Sequence, residues 1–463
     1  MRNITKQLIH YTVPSFFSKG INLFLFPFYV KILSVNEFGK LELILLFGTF
    51  LQYFFHFGWN SAFVRLYKEE DITTSDLTYT LLYFRLSISV LLLSLTAFIG
   101  ANQISVWLTH GKSYGSAVWG IVLIYITKEF LLFYESRYRI EGSSKNFMWL
   151  NIGQTVCQAI LVLLFLVMFD GGLTGLIWGQ ALGLLVVLIV IVVHNFPWKK
   201  NGYFDREILK RTLSFGLPLV PAAVAMFLVT SSDRYMISWL IGGENGINQV
   251  AYYSFAYKIV ALMALASSGF SVFWGPYVYA NYRHPDSGYF FSFVFRNYVQ
   301  VLFILSLVIL SALPYIFLYF PRYRPGMILM PILLAGYLIY QVGDYFCVGI
   351  GIQEKTSIRA VAGLWTAFVN IVLNLILIPQ IGALGASVAT LVSYIWYVAI
   401  LMYKSQQLFF VPYSWLQSGV TIFFIAMTSL VYRHYIHLLL PYITVGVVAT
   451  TIVYFRAGGF SKS

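Results

Sequence analysis

Charge is what this chain most lacks. Only 10% of its 463 residues are Asp, Glu, Lys or Arg, where a soluble domain carries about 25%. With 59% of residues hydrophobic and a mean hydropathy of +0.77, a water-covered globular surface is excluded. Cysteine is nearly absent too. Cys157 and Cys347 both lie in apolar runs, and no Cys/His cluster with metal-ligand spacing accompanies them. A disulfide scaffold and a zinc site are therefore not expected, and the two thiols read as small buried hydrophobes. No cofactor is implied. Long polar loops are also missing, which argues against an enzyme with an extramembrane catalytic domain.

What the chain does have is apolar runs of spanning length. A membrane helix needs about 20 mostly apolar residues. Runs bounded by charge, Gly and Pro predict spans at 8–31, 40–58, 79–100, 117–135, 147–169, 173–194, 212–241, 250–280, 289–313, 325–350, 360–379, 383–403, 413–431 and 436–455. The fold class is an all-α polytopic membrane protein of about fourteen spans, or twelve if an interfacial hairpin replaces the last two. The opening MRNITKQLIHYTVPSFFSKG has no small-residue cleavage site and runs into an apolar helix, so it reads as a retained first span.

The 30 basic residues outnumber the 17 acidic ones, and their placement has direction. With the N-terminus inside, the cytoplasmic segments carry roughly three times the Lys and Arg of the outer ones, as the positive-inside rule requires. The central loop alone holds Lys199, Lys200, Arg206, Lys210 and Arg211, whereas the outer segments hold only Lys31, Lys40, Lys112, Arg322, Arg324 and Arg433. Both termini are expected in the cytoplasm. The net charge of +13 needs no nucleic-acid partner, because most of it faces anionic lipid.

The chain repeats itself. Aligning Pro14 of the first span with Pro218 of the seventh, and Gly172 and Gly175 with Gly382 and Gly385, gives two nearly equal offsets. Two six-helix bundles follow, residues 1–194 and 212–404, with a basic linker at 195–211 and two extra helices within 405–463. An even number of spans per half gives parallel repeats, related by a pseudo-two-fold along the membrane normal, with substrate expected between them. Pro14, Pro218 and Pro221 sit early in their spans, where they would bend the helix and serve a gate.

Six basic residues fall inside spans: Lys19, Arg85, Lys128, Arg234, Lys258 and Arg296. An ionisable group in hydrocarbon is a functional candidate by default. Lys19 and Lys258 lie deepest, one in each half, while Arg85 and Arg296 are within snorkelling reach of the cytoplasmic surface. Lys128 adjoins Glu129 and is read as a local pair or coupling group. Asp344, alone in an apolar run, is a coupling or pairing candidate. Asp233 and Arg234 fall about 31 Å along the seventh span at 1.5 Å per residue, which places them at the outer interface as a structural or gating pair.

Several stretches carry a family resemblance: SAFVRLY (61–67), LSFGLPLVPA with SSDRYMIS (213–222, 231–238), AYYSFAYKI (251–259), FWGPYVY (273–279) and NIVLNLILIPQIGALGASVATLVSY (370–394). Taken in order along nearly the whole chain, they resemble the Wzx-type polysaccharide flippases of the multidrug/oligosaccharidyl-lipid/polysaccharide exporter superfamily. The resemblance implies a non-enzymatic flippase in the bacterial inner membrane. Its substrate would be an undecaprenyl-diphosphate-linked oligosaccharide, such as an O-antigen unit for lipopolysaccharide. A polysaccharide polymerase or chain-length regulator would be a possible partner. Its diphosphate would need cations, for which Lys19, Lys258, Arg85 and Arg296 are the candidates. A multidrug or cation antiporter and a peptidoglycan-precursor flippase are the rival readings; the basic excess within the spans disfavours the first.

Overall fold

The computed structural model describes residues 2–67, 69–111, 113–195, 202–355 and 357–413. Those residues are almost wholly helical, and no β-strand occurs among them. Ten helical stretches among them are long and apolar enough to cross a bilayer. Large apolar side chains point outward along them, such as Val90, Phe98 and Leu318. That is the surface of a protein whose solvent is lipid. The spans expected at 413–431 and 436–455 lie outside the described residues.

The chain divides into two compact units. The first takes the residues up to Phe227 together with Gly242–Asn248, and the second takes Leu228–Ile241 and the residues from Gln249 on. This division by compactness falls inside one helix, further along the chain than the basic linker.

In the first unit the helices are α1 (Arg2–Ile32), α2 (Val35–Phe55), α3 (Trp59–Leu66), α4 (Thr74–Ile99), α5 (Ala101–Thr109), α6 (Gly115–Ile140), α7 (Ser144–Leu163), α8 (Gly172–Asn195) and α9 (Arg206–Gly216). Local signals set their starts. Ser34 and Glu37 form a reciprocal capping box on α2, Thr73 caps α4, and Asp205 caps α9 through the amides of Glu207 and Ile208. Such caps contribute about 1 kcal/mol each. A polar seam ties the strand-like segment before α9 to the first turns of α4. Tyr203 N donates to Asp76 Oδ1 at 2.8 Å, and Asp205 N donates to Thr80 Oγ1 at 2.9 Å. The α7–α8 hairpin packs to backbone contact. A Cβ on Gly179 would meet Val162 Cα at 2.7 Å, and one on Gly183 would meet Gln158 Cα at 2.6 Å. Small residues every fourth position let membrane helices approach to backbone contact.

In the second unit, α10 (Val220–Ile241), which starts in the first, leads to α11 (Gly243–Val260), α12 (Met263–Asn281), α13 (Ser287–Tyr319), α14 (Met330–Tyr345), α15 (Val348–Ile352), α16 (Ser357–Ile381) and α17 (Ala383–Leu408). Here the α16–α17 hairpin plays the part of α7–α8. Ala362, Thr366, Asn370, Asn374 and Ile378 make one buried stripe on α16, four residues apart. A Cβ on Gly385 would meet Leu377 O at 2.5 Å.

Four expected spans are broken; in the run 325–350 a 3-10 stretch at Pro321–Leu329 leads into α14, which ends at Tyr345 before α15 begins at Val348. The run 40–58 begins earlier, at Val35, and ends at Phe55, with α3 following after a turn. Lys40, expected in an outer loop, is buried in α2, its ammonium 5.6 Å from the Tyr114 ring. The run 250–280 is two helices with a break at Ala261–Leu262. The run 212–241 is α9 and α10 joined by a tight turn at Leu217–Leu219. Pro218 therefore sits in that turn and Pro221 in the first turn of α10, where a missing N–H costs nothing. Both lie where one right-handed helical run from Arg206 to Ile241 tightens through a 3-10 turn. Pro14 does lie inside α1, as expected.

Candidate functional site

Among the described residues, each unit buries a polar centre. In the first, α2 stops at Phe55 and the chain turns through two consecutive left-handed residues, Phe57 (φ 49°) and Gly58 (φ 59°), before α3 begins. Only glycine fits at 58, because a Cβ there would meet Gly216 Cα at 2.7 Å. The carbonyls freed at the end of α2 need donors, since hydrocarbon offers none. Arg85 of α4 supplies them: Nη1 donates to Phe55 O at 3.0 Å and Nη2 to His56 O at 2.8 Å. The same guanidinium pairs with Glu129 Oε2 at 2.8 Å and lies 4.0 Å from the Trp59 ring.

Glu129 Oε2 is thereby shared by three donors. Trp59 Nε1 donates to it at 2.9 Å, and His56 Nδ1 lies 3.1 Å away. Arg85 and Glu129 are almost fully enclosed, while 29% of the His56 side chain is accessible. Trp59 stacks on Phe133, centroids 5.6 Å apart and nearly parallel, so the centre is walled by a tight aromatic core. Isolated charges in such surroundings would be very costly; three donors on one carboxylate are what offset that cost.

The second unit's centre is built on Asp233 and Arg234. Neighbours on a helix leave it about 100° apart, so the two side chains serve different partners. Asp233 Oδ2 accepts from Tyr253 of α11 and, at 3.0 Å, from Thr390 Oγ1 of α17. Arg234 Nε donates to Ser254 Oγ at 3.1 Å, and its guanidinium lies 4.6 Å from the Tyr257 ring. Both residues are buried. On α16, Asn374 Nδ2 donates to Asn370 Oδ1 at 3.0 Å, a buried amide ladder one turn long.

The remaining candidates are scattered. Lys19 is half-buried on α1, and Lys258 is half-buried in the last turn of α11, just before the break at Ala261. A cation there complements the negative end of the helix dipole. Arg296 is half-buried on α13, 5.3 Å from the Phe293 ring. Lys128 is exposed, and Glu129 takes its partners from α2, α3 and α4, so the expected Lys128–Glu129 pair does not form. Consecutive helix positions do not face each other. Asp344 lies on α14, and its side chain is outside the described residues. No group of three or more His, Cys, Asp or Glu able to hold a metal occurs among the described residues. Sequence reasoning missed His56, Trp59, Tyr253 and Thr390. HFGWN (56–60), where aromatics flank a glycine inside an apolar run, was the signal for the first two, while Tyr253 and Thr390 lie in the stretches 251–259 and 370–394 that carry the family resemblance.

Discontinuous helices, one of them broken beside a buried ion pair, mark a polytopic membrane protein. Solved structures agree on the fold. A lipid II flippase MurJ in an inward closed conformation aligns with TM-score 0.73 at 16% identity, covering 97% of this chain and 99% of that one. An inward-facing multidrug resistance MATE-family transporter of the MOP superfamily aligns with TM-score 0.56 at 14% identity, covering 87% and 97%. No curated protein matches the chain. The chain belongs to the polysaccharide biosynthesis protein family, whose model matches residues 4–277.

Proposed function

We infer that this protein is a flippase without enzymatic activity. It carries undecaprenyl-diphosphate-linked oligosaccharide units of a surface polysaccharide, such as an O-antigen, from the cytoplasmic to the outer leaflet of a bacterial inner membrane. Both termini are cytoplasmic, and transport proceeds by alternating access. The observation that carries this reading is the conjunction of a polysaccharide biosynthesis family match over 4–277 with a flippase fold over nearly the whole chain. The half-buried cations on apolar helices supply the chemistry. A lipid diphosphate brings about two negative charges into a medium that solvates them badly, and Lys19, Lys258 and Arg296 offer compensation there. Arg85 is already committed to Glu129 and two carbonyls, so it belongs to the scaffold of the first unit and not to the diphosphate contacts. A polymerase or chain-length regulator acts as the downstream partner. A peptidoglycan precursor is the second reading, favoured by the likeness to a lipid II flippase.

The test is complementation of a deletion strain with wild type or with Lys19→Ala plus Lys258→Ala, scoring surface polymer and the lipid-linked unit retained on the inner leaflet. Loss of polymer with inner accumulation, rescued by wild type, supports the flippase. The double variant should reduce surface polymer by about tenfold or more if each lysine makes a charge-assisted bond to the diphosphate. Full rescue by the variant removes the two lysines from the site. Unchanged polysaccharide with altered peptidoglycan precursor pools transfers the substrate to the second reading.

A further inference from the structure

The centre in the first unit joins a broken helix to a histidine whose Nε2 has no partner among the described residues. A carboxylate has no proton to give, so in the bond between His56 Nδ1 and Glu129 the imidazole is the donor. The proton on Nδ1 leaves Nε2 as the basic nitrogen, and 29% of the His56 side chain is accessible, against 3% for Glu129. The geometry points to a proton-binding site at His56 Nε2, with Glu129 as its counter-ion and the α2–α3 break as the element that responds.

The step is a simple proton transfer. A proton from water adds to the Nε2 lone pair, no other bond forms or breaks, and the trio Arg85–Glu129–His56 passes from net zero to net +1. Two cations then compete for Oε2, which both already contact. The Nδ1–H bond becomes charge-assisted and draws the carboxylate toward His56. Arg85, holding the carbonyls of Phe55 and His56 with the same guanidinium, gives up part of its carboxylate contact, so the clamp on the break loosens. The left-handed backbone at Phe57 is a conformation that a non-glycine residue adopts only when its surroundings impose it, which makes this the segment that yields.

From α6, Tyr125 faces the cluster one turn before Glu129, Lys128 is exposed on another side of the helix, and Glu135 accepts from Gln154 of α7 at 3.1 Å. From α3, Arg65 lies 4.9 Å from the Phe215 ring. On α9, Arg211 bonds Asp71 at 2.7 Å. α5 and α8 carry no acid or base along the stretch packed on α6; His194 comes at the far end of α8. Imidazole is the side chain whose charge changes between pH 5 and 8. As a control on flipping the site rests on the transport reading above; as a titrating site it does not.

Trp59 provides the test, because its indole N–H donates to the same carboxylate oxygen. The full-length protein, labelled with 15N at the tryptophan indoles and reconstituted in lipid nanodiscs, is titrated from pH 8 to pH 5, with the Trp59 resonance assigned by Trp59→Phe. The expected result is a one-proton transition of that resonance in wild type and a flat profile in His56→Gln, which keeps an amide donor but has no basic nitrogen. A resonance that stays still in wild type overturns the proposal, as does a transition that survives His56→Gln. Should His56→Gln fail to fold, the wild-type histidine ring 15N shifts decide: Nδ1 of His56 stays protonated throughout and Nε2 titrates, or the assignment is wrong. No substrate enters the measurement, so its failure leaves the flippase reading intact, and failed complementation leaves the proton site intact.

Discussion

The two buried centres solve one problem in opposite ways. In the first unit an acid and a base from different helices meet directly, Arg85 against Glu129 at 2.8 Å, and the base also closes the end of a broken helix. In the second, an acid and a base adjacent in sequence go separate ways, Asp233 to hydroxyls and Arg234 to a hydroxyl and an aromatic face. The first arrangement makes each charge depend on the other. In the second, the acid Asp233 leans on the hydroxyl dipoles of Tyr253 and Thr390.

The largest expected effect follows from that dependence. Removing one partner of a buried pair costs about 3–5 kcal/mol. Arg85→Leu should therefore lower the unfolding midpoint of the detergent-purified protein sharply, and Arg85→Leu with Glu129→Leu should recover most of the loss. Equal instability of single and double variants would show that the carbonyl clamp, not the ion pair, dominates. Next comes the contrast between the centres. Glu129→Gln, which strands Arg85, should cost more than Asp233→Asn, which leaves an oxygen to accept from Tyr253 and Thr390. Equal costs would erase the distinction drawn above. Thr390→Val should then cost about 1–2 kcal/mol, the usual penalty for a lost buried hydrogen bond, measured by the same unfolding curves.

The smallest effect belongs to the surface. Arg211 bonds Asp71 at 2.7 Å and holds its carboxyl below the ordinary carboxylate range. A depressed carboxylate contributes its stability above the unfolded-state value and loses it as pH falls through the folded one. Asp71→Asn should consequently differ from wild type only slightly at neutral pH, and that difference should vanish at strongly acid pH. The pair is solvent-exposed, so a large effect at neutral pH would contradict its screening.

Much of the architecture was legible in the sequence. Apolar run length located most spans, and the glycine pattern of 171–183 and 381–393 marked hairpins that close alike in both units, α7–α8 and α16–α17. The breaks were not legible. An apolar run reads the same whether the helix through it is whole or divided, because the residues that satisfy a break come from elsewhere, as Arg85 does for α2. Pairing was illegible for the same reason. Glu129 beside Lys128 suggests a pair, yet a helix turns neighbours apart and hands Glu129 to residues 70 and 73 positions away, Trp59 and His56. Asp233 and Arg234 were recognisable as a feature, but their burial depended on hydroxyls from α11 and α17 that no local pattern announces.

The seam between Tyr203–Asp205 and α4 has a consequence for how the polypeptide could be divided. α9 packs on α3 and α4, so the first compact unit is completed by a segment encoded after the central loop. A gene cut within codons 196–201 would yield two pieces, the second bearing at its new start the very helix the first piece is missing. Co-expressed, the halves carry their own splint and should reassemble.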